Sequence, residues 1–299
     1  MDQRRSVPMT DFKTVGLVAR VANDQVRESL LRVEAFLRLQ GVELVYENAT
    51  ADMLGGNDRI CADLVSLGAD CDLVIAVGGD GNILSTARAV APFGVPILGI
   101  NRGNLGFLAD ISPEDIEGRL SEVLSGDYTM EEHFLLEGEV KGQSEVPCAL
   151  NEVVVHSANM PKMLELELYI NDSYVYTQNS DGLIISSPTG STAYALSAGG
   201  PIMHPSLNAI VLVPMFPHSL SSRPLVVPGD DEIRILVGQA SGVDARVSFD
   251  SHREFTIAAG ESLVIRKKQE RLQLIHPPGH SFYGICRSKL DWATRSTSR

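Results

Sequence analysis

The sequence predicts a two-part molecule: an α/β N-terminal domain with a mostly parallel sheet, followed by an all-β, sandwich-like C-terminal domain. Three observations predict it. Short apolar runs alternate with amphipathic stretches between residues 14 and 124. From Met130 onward the apolar segments are short and bounded by turn residues. Leu73–Val77 is unbroken apolar, as befits a strand covered on both faces.

Taken in order, Thr14–Val18 reads as the first strand. Val26, Leu30, Val33 and Leu37 then recur at helical spacing, with Asp24 placed to cap the helix and Gly41 to end it. Val42–Tyr46 reads as a second strand, and a helix through Ile60 and Leu64 leads to Leu73–Val77. Asn82–Ala91 reads as a helix and Val95–Ile100 as a strand. Ser112-Pro113-Glu114-Asp115 opens the next helix, with proline at its first position. In the second part, Met163–Ile170 alternates apolar and acidic residues, so Glu165 and Glu167 line a wet face. Asn171-Asp172 then turns the chain into Tyr174–Gln178. Further strands are read at Leu183–Ile185, Ile210–Val213, Leu225–Val227, Ile233–Val237, Ala245–Phe249, Ser262–Ile265 and Leu272–Ile275. Thr192–Ala198 is the one helix expected there. The domains are drawn at 1–128 and 129–280, with 281–299 free to pack back on the first.

The 299 residues carry 25 Lys+Arg against 38 Asp+Glu, a net charge of −13. Affinity for nucleic acid rests on clustered cations, so nucleic acid and anionic membrane surfaces are excluded as partners. The N-terminus has no apolar core of a secretory signal, and no stretch reaches the ~18 apolar residues of a membrane span. Cys61, Cys71, Cys148 and Cys286 form no CxxC and read as ordinary buried thiols. A reducing cytoplasm is the expected setting.

Three glycine-rich loops carry the chemistry. Gly78-Gly79-Asp80-Gly81-Asn82 follows the buried run Leu73–Val77, where open α/β sheets bind ligands. Glycines let a phosphate approach the backbone, and the following helix offers its positive end. An aspartate amid such a loop suits a hydroxyl nucleophile or a metal ion; by itself GGDG also reads as a tight turn. The P-loop and the dinucleotide fingerprint are both absent. Gly99–Leu108 is a second such loop, or merely a connection. The third, 181–201, crowds hydroxyls at a helix start, which suits phosphate or ribose, or else an N-capping turn. His133, His156, His204, His218, His276 and His280 show no metal-ligand spacing, and Arg223 is left unassigned.

GGDGN at 78–82, NRGNLGFL at 101–108, ALNEVVVH at 149–156, DGLIISSPTGSTAYALSAGGPI at 181–202 and PHSLSSRPLV at 217–226 together resemble the bacterial NAD kinases. GGDG alone is shared with diacylglycerol, sphingosine and phosphofructo-kinases, whereas NRGNLGFL combined with PTGSTAY is specific. The resemblance implies ATP-dependent phosphorylation of the adenosine-ribose 2′-hydroxyl of NAD, a divalent metal such as Mg²⁺, and a homo-oligomer, dimer or tetramer. By matching position, Asp80 resembles the catalytic base, with Gly81 beside it against the substrate. Asn151 and Glu152 resemble the pair that hydrogen-bonds the adenine and ribose hydroxyls, and Phe107 walls the adenine pocket. Asp181 falls where the family binds the nicotinamide half. Thr192, Ala193, Tyr194, Ala195, Leu196 and Ser197 line the nucleotide, Tyr194 near the nicotinamide. Lys162 and Asn179 fall at binding positions. Two departures stand out: Ser187, just before PTGSTAY, where relatives usually read STPTGSTAY, and His252 where close relatives often carry glutamine. Two rivals remain: a lipid or sugar kinase sharing GGDG, and a non-catalytic NADP(H) sensor.

Overall fold

The structure is a computed structural model and describes residues 12–20, 23–55, 58–102, 106–109, 111–140, 146–158, 162–239 and 242–292. The chain divides into two compact units, Met1–Glu132 with Leu272–Arg299, and His133–Arg271.

In the first unit, β1 (Thr14–Val18), α1 (Asp24–Leu39), β2 (Glu43–Glu47), α2 (Asn48–Leu54), β3 (Ile60–Ala62), α3 (Leu64–Asp70), β4 (Leu73–Gly78), α4 (Asp80–Val90), β5 (Ile97–Asn101) and α5 (Ile116–Leu124) alternate. The strands pair in parallel in the order β3-β2-β1-β4-β5. The order reverses between β1 and β4, the switch point outside whose carboxyl ends such sheets bind ligands. β4 is buried at every residue, which is why its sequence is unbroken apolar.

The second unit is β-rich. Its strands are β6 (Thr129–Val140, begun in the first unit), β7 (Cys148–Ala149), β8 (Glu152–Ser157), β9 (Leu164–Ile170), β10 (Ser173–Ser180) and β11 (Gly182–Ser186). After α6 (Tyr194–Ser197) come β12 (Ala209–Met215), β13 (Leu225–Pro228), β14 (Ile233–Val237), β15 (Ala245–Phe249), β16 (Arg253–Ile257) and β17 (Ser262–His276). One sheet runs β13-β12-β11-β8-β15-β16; in the other, β10, β9, β14 and the start of β17 are neighbours. Inward residues of both, including Leu166, Ile235, Leu263, Val153, Ile185 and Phe249, share one core, the sandwich expected. The outer face of the first sheet, with Val154, Ile184 and Val211, is covered by Ala195 and Met203. The end of β17 belongs to the first unit, where Leu274 and Ile275 pair in parallel with Ile97 and Leu98, and α7 (Phe282–Lys289) follows.

Local chemistry corrects several expectations. α1 is capped by Asn23, which accepts the Val26 N–H at 2.8 Å, so Asp24 is the first helical residue. Ile60 lies in a strand: Val45 pairs with it, and the helix starts only behind the Asp63 cap. The single helix expected at Thr192–Ala198 is a 3₁₀ turn (Thr189–Thr192) and α6, broken because Ala193 has φ −103° and ψ −126°. Ser262–Ile265 and Leu272–Ile275 are the two ends of one 15-residue strand. Cys61 is exposed on β3 and Cys148 half-buried on β7, so only Cys71 and Cys286 are buried thiols. Among the described residues no helix is long and apolar enough to cross a membrane.

Candidate active site

β4 ends at Gly78, and α4 begins at Asp80 with Gly79 as its N-cap and no side-chain capping bond. α1, α2, α3 and α7 are closed by Asn23, Glu47, Asp63 and Ser281, whereas α5 and α6, like α4, have no side-chain cap. The first amides of a helix lack internal partners, and an uncapped start presents them to an anion. A Cβ added at Gly79 or Gly81 would meet nothing within 4 Å. Neither residue takes a positive φ. Sterically the fold needs glycine at neither position, and at Gly81, inside the helix, glycine costs up to about 1 kcal/mol relative to alanine. A bare backbone there leaves room for a ligand.

Asp80 is held by the second loop. Its Oδ2 accepts the Phe107 N–H at 2.8 Å, and its Oδ1 accepts those of Leu108 and Ala109 at 3.2 and 3.3 Å. Gly106 permits this, since a Cβ there would collide with the carboxylate. A carboxylate offers about four acceptor positions, so one on Oδ2 remains for a hydroxyl. Asn82 joins the carboxyl ends of β1 and β4, donating to the Val18 and Val77 carbonyls at 3.1 and 3.2 Å. Lys289 places its Nζ 4.8 Å from the Phe107 ring centroid, while Arg102 turns to Ser29 and Glu28. Residues 103–105 of this loop lie outside the described residues.

In the second unit, Asp250 plays a comparable part. It sits at φ 48° in the turn between β15 and β16. It accepts the N–H groups of Leu150, Asn151 and Glu152 at 2.9, 2.8 and 3.2 Å. Glu152 is 7% exposed, and its Oε2 has no hydrogen-bond partner among the described residues. Burial first, then the Asp250 charge, pushes its carboxyl up to about 8, against the Tyr194 backbone amide that favours the ionised form. At neutral pH Glu152 is therefore mostly a protonated donor. A buried polar atom without a partner marks a place for a ligand.

The hydroxyls of the third loop are largely spent on the fold. Ser186 donates to the Asn151 carbonyl at 3.2 Å and Ser187 to that of Leu150. Ser191 donates to the Pro188 carbonyl at 2.6 Å and accepts the Met203 N–H at 2.9 Å. Gly190 lets this loop press on the Asn151 backbone, which a Cβ would strike. His133, 3% exposed, anchors it through Thr189 Oγ1 at 2.8 Å.

The structure thus brings Asp80, Gly81 and Phe107 together in the first unit, and Asn151, Glu152 and the backbone of Tyr194 in the second. His252 is exposed on the hairpin that carries Asp250. Thr192, Ala193, Ala195, Leu196 and Ser197 follow the anchored loop, with Ala195 fully buried. Asp181 and, two residues before it, Asn179 are not beside Glu152; Lys162 lies just ahead of β9. Ser186 pairs with Glu152 but Gly182 with His156, so Asp181 and its neighbours sit at the far end of that ladder, on the order of 15 Å away. Arg223 is exposed and donates to the Leu220 and Ser222 carbonyls of its own loop. Sequence reasoning assigned no role to Asn82, Asp250 or Gly106. The Asp-Ser pair between two strands was the one local signal for Asp250.

An open α/β sheet whose switch point carries an uncapped, glycine-fronted helix and a clamped aspartate defines a nucleotide-binding protein. Residues 15–128 match the family model for the ATP-NAD kinase N-terminal domain, and residues 150–277 the one for the C-terminal domain. The chain is similar to the NAD kinase of Teredinibacter turnerae, 52% identical over 291 residues covering 96% of this chain and 99% of that one. It is 50% identical to that of Hahella chejuensis over 289 residues, with 96% and 98% covered. Among solved structures, a yeast NADH kinase complexed with NADH superposes with a TM-score of 0.84 at 23% identity, covering 99% of this chain and 94% of that one. An NAD kinase from Archaeoglobus fulgidus in complex with ATP superposes with a TM-score of 0.72 at 26% identity, covering 92% and 99%. The chain belongs to the ATP-NAD kinase family, a family of phosphotransferases.

Proposed function

We propose that this chain phosphorylates the 2′-hydroxyl of the adenosine ribose of NAD, with ATP as donor, to give NADP. The carrying observation is the start of α4: two glycines the fold does not require, no capping side chain, and Asp80 held by three amides with one acceptor position left. Phosphoryl transfer asks the protein chiefly to position groups and offset charge. Asp80 orients the hydroxyl through that remaining position and takes its proton as attack completes. The amides at the start of α4 face the phosphates. Asn151 and Glu152 hold adenine and ribose hydroxyls, the protonated Glu152 able to donate as well as accept. Phe107 walls the adenine, and residues 192–197 line the nucleotide. Lys162, Asn179, Asp181 and His252 complete the list of proposed contacts, Asp181 toward the nicotinamide half. ATP as donor draws support from the ATP-bound archaeal relative.

The residues fit a divalent ion that travels with the triphosphate. Mg²⁺ commonly keeps several waters and binds substrate phosphates with one or two carboxylates, and Asp80 is the carboxylate at this loop. Among the described residues no group of three acidic or imidazole ligands includes Asp80, so no all-protein cage competes with this. When bound, Mg²⁺ would neutralise charge on the transferring group. Assembly into a dimer or tetramer through the β-rich unit, and a cytoplasmic setting, belong to the same proposal.

The test is the purified chain with ATP, Mg²⁺ and NAD, with NADP followed by a coupled dehydrogenase. NADP appearing at a rate abolished by EDTA is expected. NADP binding without turnover would make the chain a sensor and overturn the proposal.

A further inference from the structure

His276 and His280 flank a tight turn, Pro277-Pro278-Gly279. The His280 N–H donates to the Pro277 carbonyl at 3.4 Å, and Gly279 takes φ 91°. Proline at the second position and a positive-φ glycine at the third are what such a turn requires. The turn doubles the chain back, so the two imidazoles stack with centroids 3.7 Å apart and planes 22° apart. Glu131, on β6, completes the group: its Oε2 lies 3.7 Å from His276 Nε2 and 3.7 Å from His280 Nε2. The three ligand atoms all fall within 4.8 Å of one another. All three residues belong to the first unit.

We propose that Glu131, His276 and His280 form a site for a zinc-type divalent transition-metal ion, separate from the Mg²⁺ carried by ATP. The donor set decides the class of ion. Two imidazole nitrogens and one carboxylate suit Zn²⁺ or Co²⁺, whereas Mg²⁺ demands an oxygen shell. A tetrahedral ion at ~2.0–2.2 Å from each ligand sets nitrogen and oxygen about 3.4 Å apart. The observed 3.7 Å leaves a small contraction. Both Nε2 atoms lie at the same distance from the Glu131 carboxylate, and closing on one ion needs a modest rotation of His280 out of the stack. Its side chain is 14% exposed against 3% for His276, so it is the ring with room to move.

The rest of the turn is already fixed. Two prolines restrict its backbone, and Arg119 donates to the Pro278 carbonyl at 3.0 Å. A cavity of about 240 Å³ opens beside it, lined by His280, Gly279, Ser281 and Arg119. A water needs only about 30 Å³, so the cavity has room for one as fourth ligand. Two histidines, one glutamate and a water is a set that holds zinc in open sites. The ion would join β6 to the turn between the end of β17 and α7, segments about 145 residues apart in sequence. Its effect is to stabilise the first unit.

The full chain, stripped by chelator and free of nucleotide, is titrated with Zn²⁺ alone and, separately, Co²⁺ alone. One tight equivalent per chain, a visible tetrahedral Co²⁺ band and a higher melting temperature are expected. His280→Gln and Glu131→Gln should each weaken binding at least tenfold, while His204→Gln in the second unit leaves it unchanged. Because His276 is buried and its replacement can cost folding, the test rests on the other two ligands. No bound equivalent, displacement by millimolar Mg²⁺, or unchanged affinity in both variants overturns the proposal.

Discussion

Asp80 does two things with one carboxylate: it gathers the amides of residues 107–109 and keeps one acceptor position open. Asp80→Asn removes the proposed base while keeping most of the shape. It should lower NADP formation by roughly 10²–10⁴-fold, the usual worth of general acid–base catalysis, with NAD binding retained in a calorimetric titration. Near-normal turnover would show that another group takes the proton. Glu152 makes a second prediction, in pH. Its folded value of about 8 stands above the ordinary 4.5, so the native state holds a proton that the unfolded chain has released. Stability from this residue is present below pH 4.5 and lost up to about pH 8, at most roughly 1.4 kcal/mol per unit. Melting curves across that window should slope downward, and Glu152→Gln should flatten them; an equal slope in the variant would refute the assignment. Both residues were visible in the sequence by their motifs. Their environments were not, because the atoms that clamp Asp80 lie some 27 residues away and Asp250 lies 98 from Glu152.

At the scale of elements, α4 trades local stability for an open end. Gly81→Ala adds a better helix former where a Cβ meets nothing, so the chain should gain up to about 1 kcal/mol in denaturant unfolding. The same methyl occupies the surface proposed to face phosphate, so KM for ATP should rise severalfold. A variant that is more stable and equally active would mean this backbone is not a ligand surface. Elements with strong periodicity were legible from sequence: α1 by Val26, Leu30, Val33 and Leu37, and β9 by its strict alternation. β3 was not. It is three residues long and mostly exposed, with nothing but pairing to β2 to define it. β16 was missed for a related reason, since its one buried residue, Ile257, leaves no pattern to read.

For the molecule as a whole, the charge of −13 opposes the anionic substrates proposed for it. Their attraction must be local, from the open end of α4, the Mg²⁺ proposed to travel with ATP and the ammonium of Lys289 near Phe107. Salt shortens the reach of the repulsive field to about 10 Å at 0.1 M while leaving close contacts largely intact. Raising NaCl from ~0.02 to ~0.2 M in excess Mg²⁺ should therefore leave KM for ATP level or lower it. A steep rise would point instead to exposed cations as the main attraction. The path of β17 has a different consequence, in the order of synthesis. The first unit's sheet is finished only by Leu274 and Ile275 pairing with Ile97 and Leu98. While the nascent chain emerges, β5 waits with Ile97 and Leu98 unpaired on one edge, only its far end bridged by Ile111, as nearly the whole second unit is made. An unpaired edge is a template for wrong partners, and so distant a pairing is slow to form. The growing polypeptide is thus most vulnerable to aggregation before its final strand leaves the ribosome, and a chain truncated ahead of residue 272 would keep that vulnerability permanently.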